Sequence, residues 1–337
     1  KNMANIATNK IRIYTTDGII WNENQAIIDL VYSMSISEEI TIDLNAEGVC
    51  CDSVGIYNLL EQCSNKFDYD LSRISIHTSN QLERHDEVNI IYQFPIHLVK
   101  NVVVEYHNIA IKKNLNKHFG VFVGRGNPLR LYLNTILNLD HRDITIQSYR
   151  FNINDDYYRN NIGLELLMTC YNISDISQES LFLSKCPMLL NGATEVKYRM
   201  DSDLNLSQQL DNTNKIHQYY NNFFVEIVHE SFYTGNTFFP TEKIWRPMIL
   251  KTPFIVQGPQ WYLKHLKEMG FKTFDRWWDE GYSEDPPTHA ISEIKKVIEL
   301  LSKKSITELT HMYFEMTDIL EHNYDTLIEL TKNGKYE

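Results

Sequence analysis

The sequence predicts an α/β protein of two halves, each built on an open, mostly parallel sheet. Short β-branched runs alternate with helix-spaced segments in a βαβ rhythm, and that rhythm restarts after residues 100–118. With 337 residues the chain is long enough for two domains. At 43% hydrophobic and 23% charged it has ordinary globular usage, which argues against a disordered, collagen-like or disulfide-scaffold chain. The expected division is an N-terminal domain over residues 1–110, a C-terminal domain over 111–290, and closing helices over 291–337.

In the first half, residues 11–16 read as a strand that Asp17-Gly18 ends. Residues 23–33 have helical spacing. Residues 39–44 alternate as a strand and lead into the loop Asn45-Ala46-Glu47-Gly48. Residues 53–63 read as an amphipathic helix, and 74–78 and 88–92 as further strands. The second half opens with a strand at 119–123, the turn Gly124-Arg125-Gly126-Asn127-Pro128, a helix at 129–139 and a strand at 143–148. Residues 152–222 are rich in Asn, Asp, Tyr and Ser and give no clear element. A strand at 223–228, a helix at 241–250, a strand at 253–256, a helix at 261–269 and a short strand at 271–274 follow. Residues 290–302 and 305–330 are amphipathic helices of mixed charge, unlike a membrane-surface helix. Two such halves place a ligand cleft at the carboxyl ends of the strands.

Lys plus Arg is 32 and Asp plus Glu is 44, a net charge of -12. A phosphate backbone needs a basic footprint, so no nucleic-acid partner is expected, although a local basic pocket for a small phosphate is compatible. Cys50-Cys51 are adjacent, and Cys63, Cys170 and Cys186 are scattered, with no metal-site spacing. That pattern suits a reducing compartment. No run reaches the roughly 18 apolar residues of a membrane span, and the start Lys1-Asn2-Met3 has no apolar signal region. The expectation is a cytoplasmic protein without a transmembrane segment. The Asn-, Lys- and Ile-rich usage is that of an AT-rich genome, bacterial or large-viral.

Two stretches carry chemistry. Gly124, Arg125, Gly126, Asn127 and Arg130 lie between a strand and a helix, where glycines admit close backbone approach and the helix end favours an anion. Two arginines add bidentate phosphate donors. The same residues also suit a plain strand–turn–helix with solvated arginines. The second stretch holds Glu226, His229, Glu230 and Ser231, then a Gly/Asn loop, then Thr241-Glu242-Lys243. Thr241 is a natural N-cap. A nucleotide diphosphate would use the helix N–H groups and Lys243, and its ribose would use Glu242. A capped helix with Glu242 favoured by the macrodipole is the alternative. His229 either reaches the pyrophosphate or is a satisfied buried histidine.

Glu230-Ser231, Thr241-Glu242-Lys243-Ile244-Trp245 and Thr252-Pro253-Phe254-Ile255-Val256-Gln257-Gly258-Pro259 together resemble the donor-binding signature of the alpha-1,3-fucosyltransferases. Gly126-Asn127-Pro128…Arg130 resembles that family's Ser-Asn-Pro…Arg. The likeness spans roughly residues 119–275, in the family's order. It implies a GT-B architecture, two Rossmann-like domains facing a central cleft. It further implies an inverting transfer from a GDP-sugar to an oligosaccharide or glycan hydroxyl, with no cofactor and no metal. Arg130 and Lys243 would bind the diphosphate, Glu242 the ribose, and Glu230 would lie near the donor. The sequence departs from the family at Ser231, where the family has Asn, in the length of the loop to Thr241, and over 152–222.

The resemblance draws the acceptor base from a loop after an N-terminal strand, and Glu47 fits by position. A solvent-facing loop carboxylate is the alternative. Asp17 is the second candidate and His77 the third. Asp201-Ser202-Asp203 has the spacing of a divalent-metal pair, which would make a metal-dependent GT-A-like enzyme, but it reads as a polar loop, as does Asp155-Asp156. A non-catalytic sugar- or nucleotide-binding α/β protein is the remaining class. A dinucleotide dehydrogenase is disfavoured because Gly124-x-Gly126 lacks a third glycine. Trp245, at helical spacing from Ile249, reads as core. Trp277-Trp278 either line a cleft or brace the last helices.

Overall fold

The computed structural model describes residues 9–12, 30, 32–35, 39–44, 48–124, 128–149 and 216–333. The protein is α/β, with two four-stranded parallel sheets compatible with Rossmann-like folding. The first sheet contains β1 (Asn9–Arg12), β2 (Ile40–Leu44), β3 (Ile74–Thr78) and β4 (Asn89–Tyr92), in that spatial order. Ile40, Ile42, Leu44, Ile74 and Ile76 are buried, whereas Thr41, Asp43, Ser75 and His77 are half-buried. Successive side chains point to opposite faces, so only one face of these strands is fully covered. It shares a core with Ile56, Leu60 and Cys63 of α1 (Ile56–Phe67).

Helix α2 (Ile96–Tyr106) occupies much of the connection that the sequence left unassigned. Its Val99, Val102 and Tyr106 belong to the core of the second sheet. The two buried apolar clusters are distinct, one running from Leu30 to Val88 and the other from Val99 to Leu330.

The second sheet contains β5 (Lys117–Val123), β6 (Thr145–Tyr149), β7 (Phe223–His229) and β8 (Phe254–Gln257). Its spatial order is β6-β5-β7-β8. Every residue of β7 and β8 is buried, as in a parallel sheet covered on both faces. Around it lie α3 (Pro128–Asp140), α4 (Glu242–Ile249), α5 (Tyr262–Glu268), α6 (Pro287–Ser302), α7 (Ile306–Glu315) and α8 (Thr317–Asn333). Ile294 and Leu301 of α6, Leu309 of α7, and Leu320 and Leu327 of α8 extend this core. Trp245 and Trp278 are buried in it, and Trp277 Nε1 donates to Glu315 Oε2 at 3.1 Å, bracing α7. Because β6 follows β5 on one side and β7 lies on the other, the chain reverses direction across the sheet between β5 and β7. The carboxyl ends of those strands form a topological switch point.

The structure corrects three expected elements. Residues 271–274 form no strand: Lys272 N–H donates to Asn323 Oδ1 (2.7 Å) and Phe274 N–H to Glu280 Oε1 (2.7 Å), so side chains take the bonds a ladder would have used. The helix expected over 305–330 breaks at Met316, where the Thr317 hydroxyl donates to Phe314 O (2.8 Å) in competition with the helix ladder. The strand expected from residue 143 begins at Thr145, after a 3-10 turn over Arg142–Ile144. Among the described residues no helix is long and apolar enough to cross a membrane.

Candidate functional site

The apolar run Phe223-Phe224-Val225 drives β7 into the core, and the strand ends where His229-Glu230 turns polar at the switch point. Glu230 is 1% exposed and takes three hydrogen bonds. Thr241 N–H donates to Oε1 (3.2 Å), Thr241 Oγ1–H to Oε2 (2.7 Å) and Tyr262 Oη–H to Oε1 (2.6 Å). Burial holds its carboxyl above the ordinary range, against the pull of the Lys243 ammonium and these three donors.

Thr241 is the N-cap of α4, and its Oγ1 accepts from Lys243 N–H at 3.3 Å. Capping puts Lys243 in the first helical turn. Its Nζ donates to Glu242 Oε1 (2.8 Å), Ser231 Oγ (3.1 Å) and Thr241 Oγ1 (3.3 Å). The Lys243 side chain keeps 24% of its surface in solvent and that of Glu242 49%, so the ammonium is held but reachable. A cation at a helix N-terminus opposes the helix dipole unless an anion joins it.

Arg130, from the first turn of α3, is buried behind this group. Its Nη2 donates to Glu230 O at 2.6 Å. The two sequence stretches thus meet at the switch point through the arginine of one and the glutamate of the other. His229 is buried too: its Nδ1 bonds Gln257 Oε1, and its Nε2 lies 3.0 Å from Asn134 Nδ2. Asn134 must donate there, since an amide nitrogen has only hydrogens to offer, which assigns the proton to Nδ1. Burial, with Arg130 adding to it, pushes His229 down to about 3. It is neutral, and both ring nitrogens are engaged within the protein.

The loop from Ser231 to Thr241 reaches the first sheet. Gln81 N–H donates to Phe238 O (3.1 Å), Phe238 N–H to Asn80 Oδ1 (2.9 Å), and the Thr237 hydroxyl to Gly48 O. Gly235 adopts φ +75°, and a Cβ there would lie 2.6 Å from Cys50 Sγ, so this contact requires glycine. The segments following the carboxyl ends of β2 and β3 therefore lie against the loop that follows β7.

Of the expected site residues, Glu230, Ser231, Thr241, Glu242, Lys243 and Arg130 are brought together by the bonds above. Gly124 is exposed at the end of β5. His77 is half-buried on β3, with Nδ1 3.4 Å from Gln93 Nε2. Glu47, Asp17, Arg125, Gly126 and Asn127 lie outside the described residues, as do Asp155, Asp156, Asp201, Asp203, Cys170 and Cys186. Among the described residues no group of three or more His, Cys, Asp or Glu side chains converges as a metal site. Sequence reasoning missed Tyr262, Asn134 and Asn80, and names Gln257 only as part of the 252–259 stretch, with no role of its own. Gln257 alone carried a readable signal, a lone amide closing an apolar strand. No protein-family model, no curated protein and no solved structure matches the chain.

Proposed function

We propose that the chain is an inverting, metal-independent glycosyltransferase of GT-B architecture. It moves a sugar, fucose or similar, from a GDP-sugar to a glycan hydroxyl. The observation that carries this reading is the solvent-reachable Lys243 ammonium at the N-terminus of α4, 3.1 Å from Ser231 Oγ at the switch point of the second sheet. An ammonium beside a helix N-terminus at a strand-order reversal is a site for a phosphate or diphosphate.

In this reading the diphosphate lies against Lys243 and Ser231. Glu242 reaches the ribose. Arg130 supplies positive potential from behind while it holds the turn at Glu230. The acceptor oxygen gives its proton to Glu47 and attacks the anomeric carbon as the bond to the diphosphate oxygen breaks. The nucleotide diphosphate leaves with the bonding pair, and Lys243 and the helix end stabilise its charge. The three described cysteines are free and buried, which suits a reducing, cytoplasmic setting.

Thermal shifts with GDP, UDP, CDP, dTDP and ADP, each with and without EDTA, test the proposal. A ligand that binds only the folded state raises Tm by mass action. GDP is expected to raise Tm equally in both conditions. A shift abolished by EDTA would favour the metal-dependent alternative, a shift with UDP alone would remove the GDP-sugar, and no shift with any nucleotide would overturn the proposal.

A further inference from the structure

We infer that Asn80, just past β3 of the first sheet, is a positioning residue that sets the geometry of the Glu230–Thr241–Lys243 group beside the second. Asn80 follows β3 and is wholly buried. Its Oδ1 accepts from Leu82 N–H (3.1 Å) and from Phe238 N–H (2.9 Å). Its Nδ2 donates to Asn236 O (3.0 Å) and to Glu83 Oε2 (3.2 Å), with Val49 O at 3.4 Å. One side-chain amide thus binds the main chain of the segments after β2 and β3 and of the loop after β7, and every donor and acceptor it has is used.

Asn80 is itself held. Glu83, 3% exposed, accepts from Cys51 N–H (2.9 Å) and Tyr57 Oη–H (2.6 Å) as well as from Asn80. These fix the amide's orientation, because rotating it would set Nδ2 against the N–H groups of Leu82 and Phe238.

The path onward to the site is short and packed. Phe238 is fixed by Asn80 at its N–H and by Gln81 at its carbonyl. Its ring meets the Tyr262 ring edge-on, with centroids 5.2 Å apart. Tyr262 donates to Glu230 Oε1, and the same oxygen accepts from Thr241 N–H. Phe239 stands over Gly48 so closely that no Cβ could be added there. The loop cannot shift on the first sheet without moving the phenylalanine that backs Tyr262. Phe238, Phe239, Pro240 and Thr241 are all buried, so this stretch transmits a displacement to α4 as a packed unit.

Amide hydrogen exchange on the full chain tests the inference, with Asn80→Ala as the main variant and GDP affinity by calorimetry as a second readout, which rests on the nucleotide reading above. In Asn80→Ala the amides of Phe238, Thr241 and Lys243 are expected to exchange about tenfold faster or more. Amides within β7 and β8 keep their protection, and GDP affinity falls by about tenfold. Faster exchange confined to residues 236–238, with Thr241 and Lys243 unchanged, would overturn the inference and leave Asn80 a local tie. So would equal loosening of the whole second sheet, or unchanged GDP affinity in a variant whose wild type binds GDP. If Asn80→Ala does not fold, Thr237→Val removes a single bond to Gly48 O from the same loop. It should give the same pattern at smaller amplitude, and no change at Thr241 would count against the inference. If the wild type binds no nucleotide diphosphate, the nucleotide reading fails, and exchange at Thr241 and Lys243 alone decides the role of Asn80.

Discussion

β7 carries one buried glutamate within it and another just past its end, and the protein treats them differently. Glu226 is 1% exposed and ion-paired with Arg246 of α4, whose side chain is 14% exposed. Tyr220 Oη donates to the other carboxylate oxygen, Arg246 Nε donates to Tyr220 Oη (2.6 Å), and the Arg246 guanidinium lies 5.4 Å from the Phe122 ring centroid. Glu230 is equally buried, but two hydroxyls and a backbone N–H hold it, with the Lys243 ammonium beyond them. Burial lifts both carboxyls above the ordinary range, opposed by Arg246 at Glu226 and by Lys243 at Glu230. A carboxylate locked to a buried cation braces the fold. A carboxylate held by neutral donors leaves the neighbouring Lys243 ammonium paired, among the described residues, only with the solvent-exposed Glu242.

The two glutamates separate most widely under one substitution made at both positions. Glu226→Gln leaves the Arg246 charge buried without its partner and should cost about 3–5 kcal/mol in chemical denaturation. Glu230→Gln keeps an oxygen for Thr241 N–H and Tyr262 and gives up only the bond from the Thr241 hydroxyl, whose oxygen already accepts from Lys243. Its cost at neutral pH should stay within about 1 kcal/mol, with either sign. The pH dependence has a definite direction. A carboxyl whose folded pKa is raised contributes stability below its unfolded pKa and loses it as pH rises through the folded value. The Tm of Glu230→Gln relative to wild type should therefore climb as pH rises above the ordinary carboxylate range. Equal losses at the two positions would erase the distinction.

A second contrast separates the two cations. Lys243→Ala should weaken GDP binding by about 10- to 100-fold, as expected for a charge-assisted bond, with stability changed by no more than about 0.5 kcal/mol. Affinity unchanged by calorimetry would remove Lys243 from the site. Arg246→Ala should do the reverse, losing stability first. Glu47→Gln should leave nucleotide affinity intact and lower turnover by about 100-fold or more. Near-normal turnover would move the base to Asp17 or elsewhere.

What the sequence made legible follows the same division. β3 was read to the residue, because Ile74-Ser75-Ile76-His77 alternates cleanly where one face is covered. β7 and β8 are legible as strands over 223–228 and 253–256 because most of their residues are apolar, Glu226 apart, which is how doubly covered strands appear. Thr241-Glu242-Lys243 was legible because a cap has a local signature. Tyr262 and Asn80 were not, because their partners are distant in sequence: 32 residues separate Tyr262 from Glu230, and 158 separate Asn80 from Phe238. An ordinary Tyr and an ordinary Asn carry no mark of such a partner. Residues 271–274 misled for a related reason, since their backbone donors are satisfied by Glu280 and Asn323 side chains that no local pattern foretells.

The smallest effect concerns a lysine beside the locked glutamate. Lys113 precedes β5, and its Nζ donates to Tyr220 O (2.8 Å), Phe223 O (3.0 Å) and Thr252 Oγ1 (3.0 Å). Burial pushes it down to about 7, with the Glu226 carboxylate opposing. A lysine whose folded pKa lies below its unfolded value binds fewer protons folded than unfolded between the two. Stability therefore rises with pH across that window, from about 7 toward the ordinary lysine range, and the gain is lost as pH falls through about 7. Removing the group in Lys113→Met should flatten this component of Tm between pH 7 and pH 9. An unchanged slope in Lys113→Met would mean that its three acceptors keep the ammonium charged in the folded protein, making the lysine a fixed part of the Glu226 lock.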